Sequence, residues 1–159
     1  MSLPAAKTLV ETLSARGWTT TTAESCTGGG VAAAITDIAG SSAVFERGFV
    51  TYSNRAKTEM LGVAPATLDV HGAVSEPVVA EMAEGARSRA GAQIAVAISG
   101  IAGPGGSEFK PEGRVCYALA TQAGLRTQTV EHGALGRAAV RAAAVAHALA
   151  LLLDAAREP

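Results

Sequence analysis

Aromatic residues are scarce in this chain: Phe, Trp and Tyr make up 4% of its 159 residues. The hydrophobic core must therefore be built from Ala, Val, Leu and Ile. Charge is also sparse, at 17% Asp, Glu, Lys and Arg, with a formal net charge of -1 and a pI near 6.3. No block of basic residues occurs, which argues against a nucleic-acid partner, since domains that read DNA or RNA carry one. Cysteine is limited to Cys26 and Cys116. Their separation has no metal-ligand spacing, and they read as reduced thiols rather than a disulfide. The N-terminal stretch MSLPAAKTLVETLSARG lacks a secretory apolar core and carries Lys7, Glu11 and Arg16 at helical intervals. A cytoplasmic location is expected. Neither a Walker motif nor a GxGxxG fingerprint is found.

What is present is apolar bulk, 48% of the chain. At this length one domain over residues 1–159 is expected, burying about two-thirds of its unfolded surface. The run AAVRAAAVAHALALLLDAA, Ala138 to Ala156, approaches the ~20 residues that span a bilayer. It contains Arg141, His147 and Asp154 and is rich in alanine. It reads as a buried C-terminal helix, and no membrane partner is expected.

Apolar periodicity predicts a first helix over 4–16, stopped by Gly17. WTTTTAES is β-branched and reads as a strand. VAAAITDIAG reads as a helix ending near Gly40, and VFERGFVTYS as a second strand. NRAKTEMLG reads as a short helix capped by Asn54 and closed by Gly62. A further helix follows Ser75 as N-cap, with Pro77 in its first turn and Gly91 at its end. AQIAVAISG suits a strand covered on both faces. RVCYALAT and LRTQTVEH read as a hairpin across Gln122–Gly124. Strands and helices alternate before two strands pair locally. The predicted fold is a three-layer α/β/α domain with a mixed parallel and antiparallel sheet.

Three loops fall at strand ends: Glu24–Gly30, Thr51–Lys57 and Ser99–Gly113. If those strands run parallel, the loops meet at one sheet edge, where ligands of α/β domains bind. Ser25 in TTAESCTGGG is a candidate nucleophile, but a serine hydroxyl needs a base. Read alone, the stretch equally makes Ser25 or Thr27 an N-cap. Gly28 and Gly29 would allow close approach of a substrate to the backbone. Cys26 is a rival nucleophile that lacks a base nearby in sequence, since His71, His132 and His147 are distant; a small buried cysteine is the plainer reading. His71 is expected in a loop, and His147 as a packed side chain. Lys57 becomes a general base if an apolar pocket encloses it, because desolvation lowers a lysine's pKa; otherwise it is a solvated helix residue. The Tyr52 phenol could hydrogen-bond to Ser25 or Lys57. Ser99 ends a buried strand and reads as a structural hydrogen-bonder. The glycine-rich loop, with Gly100, Gly103, Gly105 and Gly106, could present N–H groups to an anion. Arg137 and Arg141 lie one helical turn apart and could clamp a phosphate, or serve only in surface ion pairs.

Four blocks in order, TTAESCTGG, GSSAVFERGFVTYSNRAK, HGAVSEPVV and AISGIAGPGG…KPEG, resemble the CinA C-terminal domain family, from about Lys7 to Asp154. Within it they resemble the stand-alone nicotinamide-nucleotide amidases. The resemblance implies hydrolysis of the carboxamide of nicotinamide mononucleotide to nicotinate mononucleotide and ammonia, in pyridine-nucleotide salvage. It implies Ser25 as nucleophile, Lys57 as its base and Tyr52 in the same block, a small-molecule nucleotide substrate, no metal or cofactor, and a homo-oligomer. Thr27, Gly28, Gly29, Gly100, Gly103, Gly105, Gly106, Arg137 and Arg141 are the candidate substrate contacts. Two positions depart from the family pattern: Glu112, where Val is usual, and Gly136, where an acidic residue is expected. The competing expectations are a non-catalytic nucleotide-binding or oligomerising module of the competence-damage type, and a serine amidase for another small amide.

Overall fold

The β-branched run after Trp18 forms β1 (Thr20–Glu24), buried along its whole length. The computed structural model describes residues 3–107 and 109–159. Around β1 it places α1 (Pro4–Arg16), α2 (Gly30–Thr36), a 3-10 turn at Ser41–Ala43, β2 (Phe49–Val50), α3 (Asn54–Leu61), α4 (Pro65–His71) and α5 (Glu76–Ala90). Then come β3 (Ile94–Gly100), β4 (Arg114–Thr121), β5 (Gly124–Glu131) and α6 (Arg137–Ala156). The strands form one sheet in the order β2-β1-β3-β4-β5. β1 runs parallel to β2 and β3, while β3–β4 and β4–β5 are antiparallel. The sheet is mixed, as the sequence predicts.

Side chains alternate across this sheet with the period of two that a strand imposes. Ile94, Val96 and Ile98 of β3 join Val115, Tyr117 and Leu119 of β4 on one face, packed with α1, α2 and α6. Ala95 and Ala97 join Cys116, Ala118 and Ala120 on the other, under α3, α4 and α5. The small residues let α5 lie close to the sheet, and the large ones fill the opposite layer. Truncating a buried leucine of that layer, such as Leu149, would cost about 2–5 kcal/mol. By length and a mean hydropathy of 1.6, α6 could cross a membrane. Val140, Ala144, Ala148, Leu149 and Leu152 are instead buried in the core, as expected of a core helix.

Four local expectations change. α2 stops at Thr36 with Asp37 as C-cap rather than near Gly40, where β-branched and short polar residues weaken the helix. The second strand is reduced to Phe49–Val50 and a lone bridge from Phe45 to Thr20. Between them the Thr21 hydroxyl donates to Arg47 O (2.7 Å), and a Cβ on Gly48 would lie 2.6 Å from Thr22 Oγ1, so side chain and close packing replace the ladder. Ser53, not Asn54, caps α3, its Oγ accepting from Ala56 N–H. His71 ends α4, a helix begun by Pro65, rather than lying in a loop.

Candidate active site

The loops after β1, β2 and β3 meet at one edge of the sheet, around a cavity of about 340 Å³. Ser25 follows β1 directly. Its N–H extends the ladder by donating to Ile98 O (2.9 Å), which fixes its backbone against β3. The chain then reverses through Gly28 and Gly29, with φ of +58° and +99°, conformations that favour glycine. Gly29 is the N-cap of α2 and makes no side-chain cap bond. The cap comes from Glu24, fully buried, whose carboxylate accepts from Val31 N–H (2.9 Å), Ala32 N–H (3.0 Å) and the Thr27 hydroxyl (2.6 Å). Neither Ser25 nor Thr27 caps the helix, so the Ser25 hydroxyl is left facing the cavity.

Lys57 lies in the first turns of α3 and is 1% exposed. Its Nζ sits 3.1 Å from Ser25 Oγ and donates to the carbonyls of Thr51 (2.9 Å) and Tyr52 (3.3 Å). The enclosed lysine is the reading the structure supports, not the solvated one. Cys26, also at the cavity, is nearly all buried, and burial pushes its thiol up to about 11. A thiol of that pKa carries almost no thiolate at neutral pH.

The Tyr52 phenol meets Arg137 at the cavity. It is 59% exposed and accepts from Arg137 Nη2 (2.8 Å), whose other nitrogen donates to Gly103 O (2.7 Å). Arg137 thus bridges two walls of the cavity. Arg141 donates to Cys26 O (3.0 Å) and Thr27 O (3.2 Å), and a Cβ on Gly28 would meet its guanidinium at 3.3 Å. The two arginines hold different partners. Gly100, Gly103, Gly105 and Gly106 line the cavity with Ser99, whereas Thr27, Gly28, Gly29 and Arg141 are not among its lining residues. The two positions that depart from the family pattern touch: Gly136 N–H donates to Glu112 Oε2 (2.9 Å).

Sequence reasoning missed Glu24 and Lys110, and marked Glu112 only as a departure from the family pattern. Glu24 could have been found, because a carboxylate just before a glycine turn and a helix is a cap candidate. The Lys110 side chain bonds across 36 residues or more, and Glu112 reaches Gly136 across 24, which no local pattern signals.

Residues 3–156 match the CinA C-terminal domain. The nicotinamide-nucleotide amidohydrolase PncC of Escherichia coli K12 is 62% identical over 143 residues, covering 89% of this chain and 87% of that protein. A putative competence-damage inducible protein of Symbiobacterium thermophilum is 54% identical over 151 residues, covering 88% of this chain and 35% of the longer relative. Among solved structures, the competence/damage inducible protein CihA of Agrobacterium tumefaciens has a TM-score of 0.90 at 44% identity, over 99% of both chains. A CinA superfamily protein of Klebsiella pneumoniae has a TM-score of 0.91 at 44% identity, over 96% of this chain and 95% of that one.

Proposed function

This chain belongs to the CinA C-terminal domain family, and from that premise we propose that it hydrolyses the carboxamide of nicotinamide mononucleotide, giving nicotinate mononucleotide and ammonia. One observation carries the mechanism: the buried contact of 3.1 Å between Lys57 Nζ and Ser25 Oγ at the cavity. Two contacts of this amine are to carbonyls, which accept N–H bonds; the contact to Ser25 is the one of these three that can supply a proton. The base role requires a neutral amine, and burial disfavours the charged form of a lysine.

In the first step Ser25 Oγ bonds to the carboxamide carbon while its proton passes to Lys57 Nζ. The tetrahedral intermediate collapses as Lys57 returns that proton to the leaving nitrogen, and ammonia departs. Water then attacks the acyl-enzyme carbonyl as Lys57 takes its proton, and Lys57 passes that proton to Ser25 Oγ as nicotinate mononucleotide leaves. The oxyanion needs backbone donors, each worth about 3 kcal/mol in such sites. Gly28 N–H is committed to Ser25 O, Gly105 N–H to Glu112 and Cys26 N–H to its own thiol, so none of these three is the favoured donor. Arg137 lines the cavity, which supports reading it as a contact for the phosphate.

The decisive experiment incubates the purified protein with nicotinamide mononucleotide and measures ammonia and nicotinate mononucleotide. Equimolar release of both supports the reading. No turnover across pH 6–9 sinks it. Turnover of free nicotinamide alone would point to a serine amidase for another small amide.

A further inference from the structure

The wall of the cavity formed by Gly103 to Ser107 has little to order it by itself. Pro104, Gly105, Gly106 and Ser107 are exposed. Gly103 and Gly105 take φ of +94° and +74°, and a Cβ on Gly105 would meet nothing within 4 Å. Glycine loses more backbone freedom on being fixed than any other residue. Polar side chains supply the order that packing does not. Glu112 accepts from Gly105 N–H through Oε1 (2.7 Å) and from Gly136 N–H through Oε2 (2.9 Å), so one carboxylate joins the wall to the N-cap residue of α6. Lys110 pairs its backbone with Ser107 (2.9 and 2.8 Å) and sends Nζ to His71 O (3.0 Å) and Val74 O (2.6 Å). Val74 lines the same cavity, so Lys110 ties the far end of the wall to the segment before α5.

We propose that Glu112 and Lys110 are positioning residues that hold the wall 103–107 in its substrate-binding shape. The proposal rests on reading the cavity as the nucleotide-amide site. Neither side chain supplies chemistry. If a tether is cut, the wall populates other conformations, and the apparent affinity falls by the fraction that stays competent. Substrate reorders the wall as it binds. Ser25 and Lys57 stand on the end of β1 and on α3, outside the tethered segment, so chemistry in the complex keeps its rate. The signature is a raised KM at nearly constant kcat. A merely structural role would lower the active fraction, and with it kcat, at unchanged KM.

The test compares Glu112→Ala and Lys110→Met with wild type in KM and kcat for nicotinamide mononucleotide, and in amide hydrogen exchange of residues 103–107 without substrate. Each variant should raise KM about tenfold, the loss expected for a hydrogen bond to a charged group, with kcat within about twofold. Exchange of the wall should quicken in both. Glu112→Gln, which keeps one acceptor oxygen, should recover part of the KM loss. Unchanged KM, or a fall in kcat at constant KM, overturns the proposal. Hydrogen exchange needs no substrate, so it separates the two readings. If wild type fails to turn over the nucleotide but exchange quickens in both variants, the tethers stand and the proposed function falls. If exchange does not change in either variant, the tethers fall by themselves.

Discussion

Ser25 and Cys26 are neighbours in one turn, yet their surroundings give them opposite chemistry. The serine hydroxyl has an amine 3.1 Å away, while the thiol is pushed up to about 11 by burial. At pH 7.5 that leaves roughly one thiolate in 3,000. Ser25→Ala should therefore remove amidase turnover, by at least ~1,000-fold, with the circular dichroism spectrum unchanged. Lys57→Met keeps most of the buried volume and removes the base, and should cost at least ~100-fold in kcat. Cys26→Ala should retain turnover, and iodoacetamide at pH 7.5 should inactivate wild type no faster than this variant. Rapid inactivation of wild type alone would transfer the nucleophile to sulfur. The pair was legible in the sequence only through the family resemblance; read alone, the residues left an N-cap at Ser25 and a solvated Lys57 open. What surrounds the pair was not legible. Arg141 holds the carbonyls of Cys26 and Thr27 from more than 110 residues away, and the Tyr52 phenol accepts from Arg137, 85 residues on. Such contacts depend on which elements pack together, and periodicity does not report them.

At the scale of elements, the position of Lys57 depends on how closely α3 meets α5. Gly85 makes that approach: a Cβ there would lie 1.9 Å from Leu61 O, the carbonyl at the end of α3. A backbone atom cannot swing aside as a side-chain tip does. Gly85→Ala must then push the helices apart, at the upper end of the ~1–3 kcal/mol seen for overpacking. For a domain of this size the melting temperature should fall by roughly 5–10 °C, with turnover lowered as Lys57 shifts. Exposed Glu84, on the same helix, is the control, and Glu84→Ala should change stability by less than ~0.5 kcal/mol. Calorimetry on both variants checks this, and equal melting temperatures would refute the close-approach role. The sequence placed α1, α5, β3, the hairpin and α6 well, because each has a long periodic pattern and a capping or turn residue. It overstated β2, since an alternating stretch does not reveal that Phe49, Val50 and a lone bridge at Phe45 make the pairing to β1. It passed over α4, where seven residues give too short a pattern to read.

At the scale of the whole molecule, a second kind of polar cluster lies inside the aliphatic framework, where β4, β5 and α6 converge. Tyr117, fully buried, hydrogen-bonds His132 Nε2 (2.6 Å), and its ring lies 4.4 Å from that of His147, which contacts Gln128 Oε1 (3.1 Å). Burial holds both histidines below their ordinary range, and His132 lowers His147 further. A histidine whose folded pKa is depressed binds its proton less readily in the native than in the unfolded state. Between the folded value and the ordinary 6.5, the unfolded chain carries more protons, so stability rises with pH through that window. The contribution is complete above about 6.5 and is lost as pH falls below it. Glu76, pulled below its ordinary 4.5 by the hydroxyls of Thr127 and Thr129, acts with the same sign in a separate, more acidic window. The melting temperature should therefore fall between pH 7.5 and 5.5. His147→Gln should flatten that slope by about half, because it removes one of two protonation sites and relieves His132 of its neighbour. Scanning calorimetry across this range measures both slopes. A wild-type melting temperature constant from pH 7.5 to 5.5 would show that the cluster accepts protons as readily folded as unfolded, against the burial that encloses it.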